Sequence, residues 1–184
     1  MSKNSKDNHK SHSPWLIKIF IITFILSIFF NYLSSELVEN LSIPLSIIIL
    51  ILVILTGVIS DLIATAVTAA DEAPFHDKAA DKKRGAKQSV MIIKNADKVS
   101  NVCGDVIGDI CGVLSGATSA LIAVNIASAL NMQDITVTTM LMTAIVTAFT
   151  VLGKAIGKHL GITNANGIVD VIGVLISYIP FVKK

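Results

Sequence analysis

CGDVIGDICGVLSGATSALIAVNIASA, residues 103–129, is small or apolar almost throughout and opens with glycine at every fourth position. On a helix of ~3.6 residues per turn, Gly104, Gly108, Gly112 and Gly116 form one slowly turning stripe that Ala120 continues. In water each of these glycines would cost the helix about 1 kcal/mol relative to alanine. In lipid the same small residues let a neighbouring backbone approach and gain dispersion contacts. The stretch therefore predicts a membrane helix at the centre of an all-α bundle, packed through the glycine stripe into a homodimer. Asp105 and Asp109 sit beside the stripe, one turn apart, and ionisable groups inside an apolar segment mark it as the place to look for function.

Composition points the same way. A hydrophobic fraction of 53%, a charged fraction of only 15% and a mean hydropathy of +0.73 exceed what a soluble domain of this length carries, and predict an integral membrane protein. Cys103 and Cys111, eight positions apart, would differ by ~12 Å in rise on one helix, out of disulfide reach. Both read as small buried apolar residues, and no Cys/His spacing suggests zinc.

Working outward, residues 1–14 are polar and are expected to form a disordered tail. Residues 15–33 read as a first span, with Lys18 able to snorkel and Trp15 and Tyr32 as interfacial anchors. A cleaved signal peptide is the alternative, but SSELVEN after the apolar run does not resemble a cleavage site. Residues 34–42 read as a short turn. The second span begins near Ile43, with Pro44 tolerated in its first turn, and becomes small and polar after Thr56, so this half is expected to pack against protein. After residues 103–129, a turn at 131–134 leads to a fourth span, 135–152, which ends in GKAIGKHLGI. Residues 168–182 are too few to cross comfortably and read as an interfacial or re-entrant helix.

Between the second and third spans, residues 71–100 break the hydrophobic pattern. From Lys78 to Lys98 there are seven basic residues against Asp81 and Asp97, a net of +5. Ala86, Val90, Met91 and Ile93 recur at helical spacing, which predicts an amphipathic helix or hairpin on the membrane surface, broken near Asn95 and attracted to anionic lipid. No aromatic residues interleave these charges, so nucleic acid is not an expected partner. Four spans put all 15 Lys and Arg residues on one side or at its membrane edge, and the loops at 34–42 and 131–134 have none. By the positive-inside rule that side, with both termini, is cytoplasmic, and the expected location is the cell membrane.

With ~1.5 Å of rise per residue in a hydrocarbon core of ~30 Å, Asp61, Asp105, Asp109 and Lys154 are expected in one layer near the cytoplasmic face. Three carboxylates against one ammonium leave a formal charge of −2, or −1 if Lys158 also points inward. Such a deficit needs a cation, a proton or water. Ser60, Asp61, Asp105 and Asp109 supply the oxygen ligands that a hard cation such as Mg2+ takes. The competing expectation is a Lys154–Asp109 bridge that fixes the fold. No serine, histidine or cysteine constellation suggests an enzyme.

At this point GVISDLIATAVTAADEA, RGAKQSVMIIKNADKVSN, IGDICGVLSG, LGKAIGKHLG and NANGIVDVIGVL, in that order, resemble the CNNM/CorC transmembrane domain family, over about residues 43–181. The resemblance implies a dimeric domain (residues 43–182 here) of Mg2+ or Co2+ transport proteins, with residues 15–33 as an added helix. Departures accompany it, among them the family's glutamate after the first helix's serine, which has no counterpart near Ser60. GKAIGK places Lys154 where the family carries an acidic ion ligand and Gly157 where it carries proline, and Gly108-Asp109-Ile110 stands where the family has Gly-Asn-Asn. Two functions are therefore expected: a small bundle that binds or moves a divalent cation, or a non-transporting membrane scaffold in which Lys154 neutralises the site.

Overall fold

The computed structural model describes residues 13–132 and 134–178, so residues 1–12 of the expected tail and 179–182 of the last run lie outside the described residues. Every regular element among the described residues is helical. In order they are α1 (Ser13–Asn40), α2 (Ile43–Ala69), α3 (Ala73–Ala80), α4 (Ala86–Lys94), α5 (Ala96–Ser100), a π-helical segment (Asn101–Gly108), α6 (Asp109–Ala129), α7 (Ile135–Thr163) and α8 (Ala165–Ser177).

Three stretches are long and apolar enough to cross a membrane: Ile43–Ala69, Ala96–Ala129 and Ile135–Thr163. The N-terminal span expected at 15–33 is represented by the shorter apolar run Ile17–Tyr32 within α1. Helix α1 also starts earlier than expected and continues through residues 34–40, leaving Leu41 and Ser42 as the turn. SSELVEN contains neither glycine nor proline, so nothing in it stops a helix. Likewise α7 does not end near Leu152 but runs on through GKAIGKHLGIT, where two lysines, an alanine and a leucine offset the three glycines.

The centre of the bundle is α2, not residues 103–129, because α2 packs against the π-helical segment, α5, α6, α7 and α8. Its buried residues are mostly small, Ser46, Gly57, Ser60, Ala64 and Ala66 among them, and so let several neighbours close in. The stripe on residues 103–129 accordingly divides. A Cβ on Gly104 would stand 3.3 Å from the Ala64 Cβ, and one on Gly108 3.5 Å from Asp61 Oδ1, so both glycines face α2 within this chain. Cβ atoms on Gly112 and Gly116 would meet nothing within 4 Å. The continuous glycine contact is instead on α7. Cβ atoms on Gly153, Gly157 and Gly161 would lie 3.0 Å from Val58 Cγ2, 3.3 Å from the Val58 carbonyl oxygen and 2.9 Å from the Leu62 carbonyl oxygen of α2. On the third side of α2, a Cβ on Gly57 would come within 2.9 Å of the Cys111 Cβ.

Helices α3, α4 and α8 gather at the end of the bundle reached by the C-termini of α2 and α7. Phe75, Ile92 and Val169 close with Val67 over a common buried cluster. Helix α8 is therefore a docked element, and the basic segment is folded against it. Gly85, in the left-handed region at φ 84°, lets the chain enter α4 against the α8 backbone, where a Cβ would be 2.6 Å from the Val174 nitrogen. Ser89 Oγ donates toward the carbonyls of Gly85 and Val169, both at 3.2 Å. Asn95 interrupts the helical run between α4 and α5, where the break was expected.

Candidate charged site at the π-helical segment

The turn between α5 and α6 is not α-helical but eight residues of π-helix, Asn101–Gly108. A π-turn shifts the hydrogen-bond register and is found disproportionately at functional sites. Two neighbouring helices send side chains to carbonyls of this segment. Ser60 Oγ of α2 donates to the Cys103 carbonyl at 2.6 Å, and Lys154 Nζ of α7 donates to the Gly108 carbonyl at 3.1 Å. The segment is thus tied to both of the helices that flank it.

The charged groups converge on the same spot. Lys154 Nζ lies 3.9 Å from Asp61 Oδ2 and 3.9 Å from Asp109 Oδ1, and Lys158 Nζ lies 3.7 Å from Asp61 Oδ2. Side-chain exposure rises from 9% at Asp61 through 22% at Lys154 and 57% at Lys158 to 74% at Asp109, so the cluster opens outward from one buried carboxylate. These separations are ion pairs rather than hydrogen bonds, and the short polar contact of Lys154 is with backbone. Gly108 lies against the cluster, where a Cβ would be in ordinary contact with Asp61 Oδ1 at 3.5 Å and Lys154 Nζ at 3.6 Å.

Of the expected site residues, Asp61, Asp109, Lys154 and Lys158 are brought together, with Ser60 beside them. Asp105 is not: it is exposed and makes no ion pair among the described residues. The expected −2 or −1 layer becomes two carboxylates against two ammonium groups, formally neutral. The Lys154–Asp109 contact is present, but Lys154 also reaches the more buried Asp61. Among the described residues no group of three or more His, Cys, Asp or Glu side chains is placed to hold a metal ion. Ser60, expected as an oxygen ligand, has its hydroxyl proton committed to the Cys103 carbonyl.

The sequence reading did not identify the carbonyls of Cys103 and Gly108 as the anchor points, because a π-turn has no residue signature. It also passed over Gly153, Gly157 and Gly161, which carry the same four-residue spacing as the stripe on residues 103–129 and seat Lys154 and Lys158 against α2. No protein-family model, curated protein or solved structure matches this chain.

Proposed function

We propose that the chain is an integral membrane bundle similar to the CNNM/CorC transmembrane domains in which two lysines stand in for the cation, so that it works as a non-transporting scaffold or interaction protein. The observation that carries this reading is that Asp61, the most buried carboxylate of the cluster, lies within 4 Å of the ammonium groups of both Lys154 and Lys158. A buried carboxylate with two such neighbours has no charge deficit for a divalent cation to fill, and a cation entering there would meet like charge. Long apolar helices with outward Phe149, Ile145 and Leu141 support the membrane setting.

A second reading has its own support. Asp105 on the π-helical segment and Asp109, the first residue of α6, are both exposed and offer carboxylate oxygens to a hydrated Mg2+ or Co2+ without disturbing Asp61. Calorimetry on the purified protein in detergent separates the two. The scaffold reading expects no saturable heat with either ion at millimolar concentration. It also expects Lys154→Glu to lower stability, by about 3–5 kcal/mol at most, the cost of breaking a fully buried pair. Saturable Mg2+ binding that Asp109→Asn abolishes would overturn it and restore cation transport.

A further inference from the structure

Helix α8 has three distinct edges. At 100° per residue, Ala165, Val169 and Gly173 form the buried edge against α4 and α2. Asn166, Asp170 and Ser177 form a polar edge, and each has a partner: the Asp71 backbone N–H donates to Asn166 Oδ1 at 2.9 Å, Lys78 pairs with Asp170 at 2.9 Å, and Arg84 Nε donates to Ser177 Oγ at 3.4 Å. The remaining edge is apolar and open, with Val171, Leu175 and Tyr178 exposed by 60%, 61% and 63%.

We propose that α8 is an in-plane membrane anchor whose open apolar edge sits in one leaflet and whose basic neighbours hold anionic phospholipid headgroups. The inference rests on the membrane reading above and adds its partner. Only Asn164 separates the end of α7, a helix long enough to cross, from the start of α8, so α8 is confined to the level of the membrane surface. A basic group lies directly at the apolar edge, where the Arg84 guanidinium stacks 3.8 Å above the Tyr178 ring, and Lys82, Lys83 and Lys87, its near neighbours in the chain, are exposed, with Lys83 3.8 Å from Asp81. A tyrosine at the boundary between apolar residues and cations suits the headgroup layer, and an apolar stripe rimmed by Lys and Arg is the composition of helices that lie in anionic membranes. A second copy of the chain fits poorly, because a two-fold contact through this face would set the Arg84 and lysine cluster against itself.

The full chain, with Cys103→Ala and Cys111→Ala, is reconstituted in nanodiscs, and spin labels are placed one at a time at Val171→Cys, Leu175→Cys, Asn166→Cys and, as a span control, Phe149→Cys. Collision with oxygen should exceed collision with a water-soluble nickel chelate at 171, 175 and 149, and the order should reverse at 166. After exchange from a mixture of phosphatidylglycerol and phosphatidylcholine, the retained lipid should be enriched in phosphatidylglycerol. That enrichment should fall about fivefold for each basic residue removed in a Lys82→Gln, Lys83→Gln, Lys87→Gln series. Labels at 171 and 175 as open to the chelate as 166, with 149 still in lipid, would overturn the anchor and leave the spans intact; 149 in water would overturn the membrane reading itself. Labels at 171 and 175 shielded from both reagents would mean that protein covers the edge, and lipid retention without phosphatidylglycerol enrichment would remove the headgroup role. Each of these results contradicts the proposal.

Discussion

Replacing Gly161 by alanine tests which glycines hold this fold together. A Cβ at 161 would lie 2.9 Å from the Leu62 carbonyl oxygen, 3.1 Å from the Thr65 Cβ and 3.4 Å from the Ala66 nitrogen, and the nearest and farthest of these atoms are α2 backbone that no rotamer change can move. Bringing the carbonyl contact out to an ordinary 3.4 Å requires α2 and α7 to part by about 0.5 Å, and a gap of that size forfeits a quarter or more of each dispersion well along the contact. Overpacking of this kind costs about 1–3 kcal/mol. Alanine gains back about 1 kcal/mol of helix propensity over glycine, but the same gain applies at Gly116, where a Cβ meets nothing within 4 Å. The difference between Gly161→Ala and Gly116→Ala therefore isolates the packing term. We expect Gly161→Ala to be the less stable by about 1–3 kcal/mol, measured as the shift in the unfolding midpoint of the protein in mixed micelles titrated with sodium dodecyl sulfate. Gly157→Ala, facing the Val58 carbonyl at 3.3 Å, should fall between them. Equal midpoints for Gly161→Ala and Gly116→Ala would refute the α2–α7 glycine contact, and a Gly116→Ala variant that alone loses stability or changes oligomeric state would restore the stripe on α6 as the packing surface.

Ser60→Ala removes the 2.6 Å bond to the Cys103 carbonyl and should cost about 0.6–1.7 kcal/mol by the same titration, the range for hydrogen bonds between helices in membrane proteins; an unchanged midpoint would mean that the π-helical segment does not depend on α2. Lys82, held in the left-handed region at φ 55° where the chain leaves α3, predicts that Lys82→Gly relieves about 1–2 kcal/mol of backbone strain against about 0.5–1 kcal/mol of added chain entropy, a small net gain read as a rise in Tm. Three residues on, Gly85→Ala should do the opposite. Positive φ and a Cβ 2.6 Å from the Val174 nitrogen would push α8 off α4, which amide exchange along α8 should register as lost protection.

The helical architecture was legible because apolar run length is a one-dimensional property: residues 43–69, 103–129 and 135–152 each lie within stretches that the structure shows as long helices. Boundaries were less so. Leu37 and Val38 sit among serines and glutamates that read as a turn, yet no residue there stops a helix, and α1 continues to Asn40. A glycine period of four says which residues share a face and not what that face meets. Gly104 and Gly108 meet α2, Gly112 and Gly116 meet open space, and the glycines of α7, interrupted by Lys154 and Lys158, look on paper like a helix terminus. Charge depth was legible to within about a turn, which sufficed to bring Asp61, Asp109 and Lys154 together. It did not exclude Asp105, because a depth along the helix does not say which carboxylates a lysine from a neighbouring helix reaches.

The ion pairs also explain why the cluster is graded rather than uniformly buried. An isolated carboxylate at the position of Asp61 would carry a large desolvation cost, and a single lysine would return it only if the geometry were close, whereas each ion pair here is 3.7–3.9 Å long. Two ammonium groups at that range, one of them 57% exposed, share the task, and the water around Lys158 and Asp109 lowers the cost of assembling four charges in one place. The short bond of Lys154 goes to the Gly108 carbonyl instead, at 3.1 Å, and fixes where the ammonium stands. The lysine thus contributes position through the backbone and charge through the carboxylates.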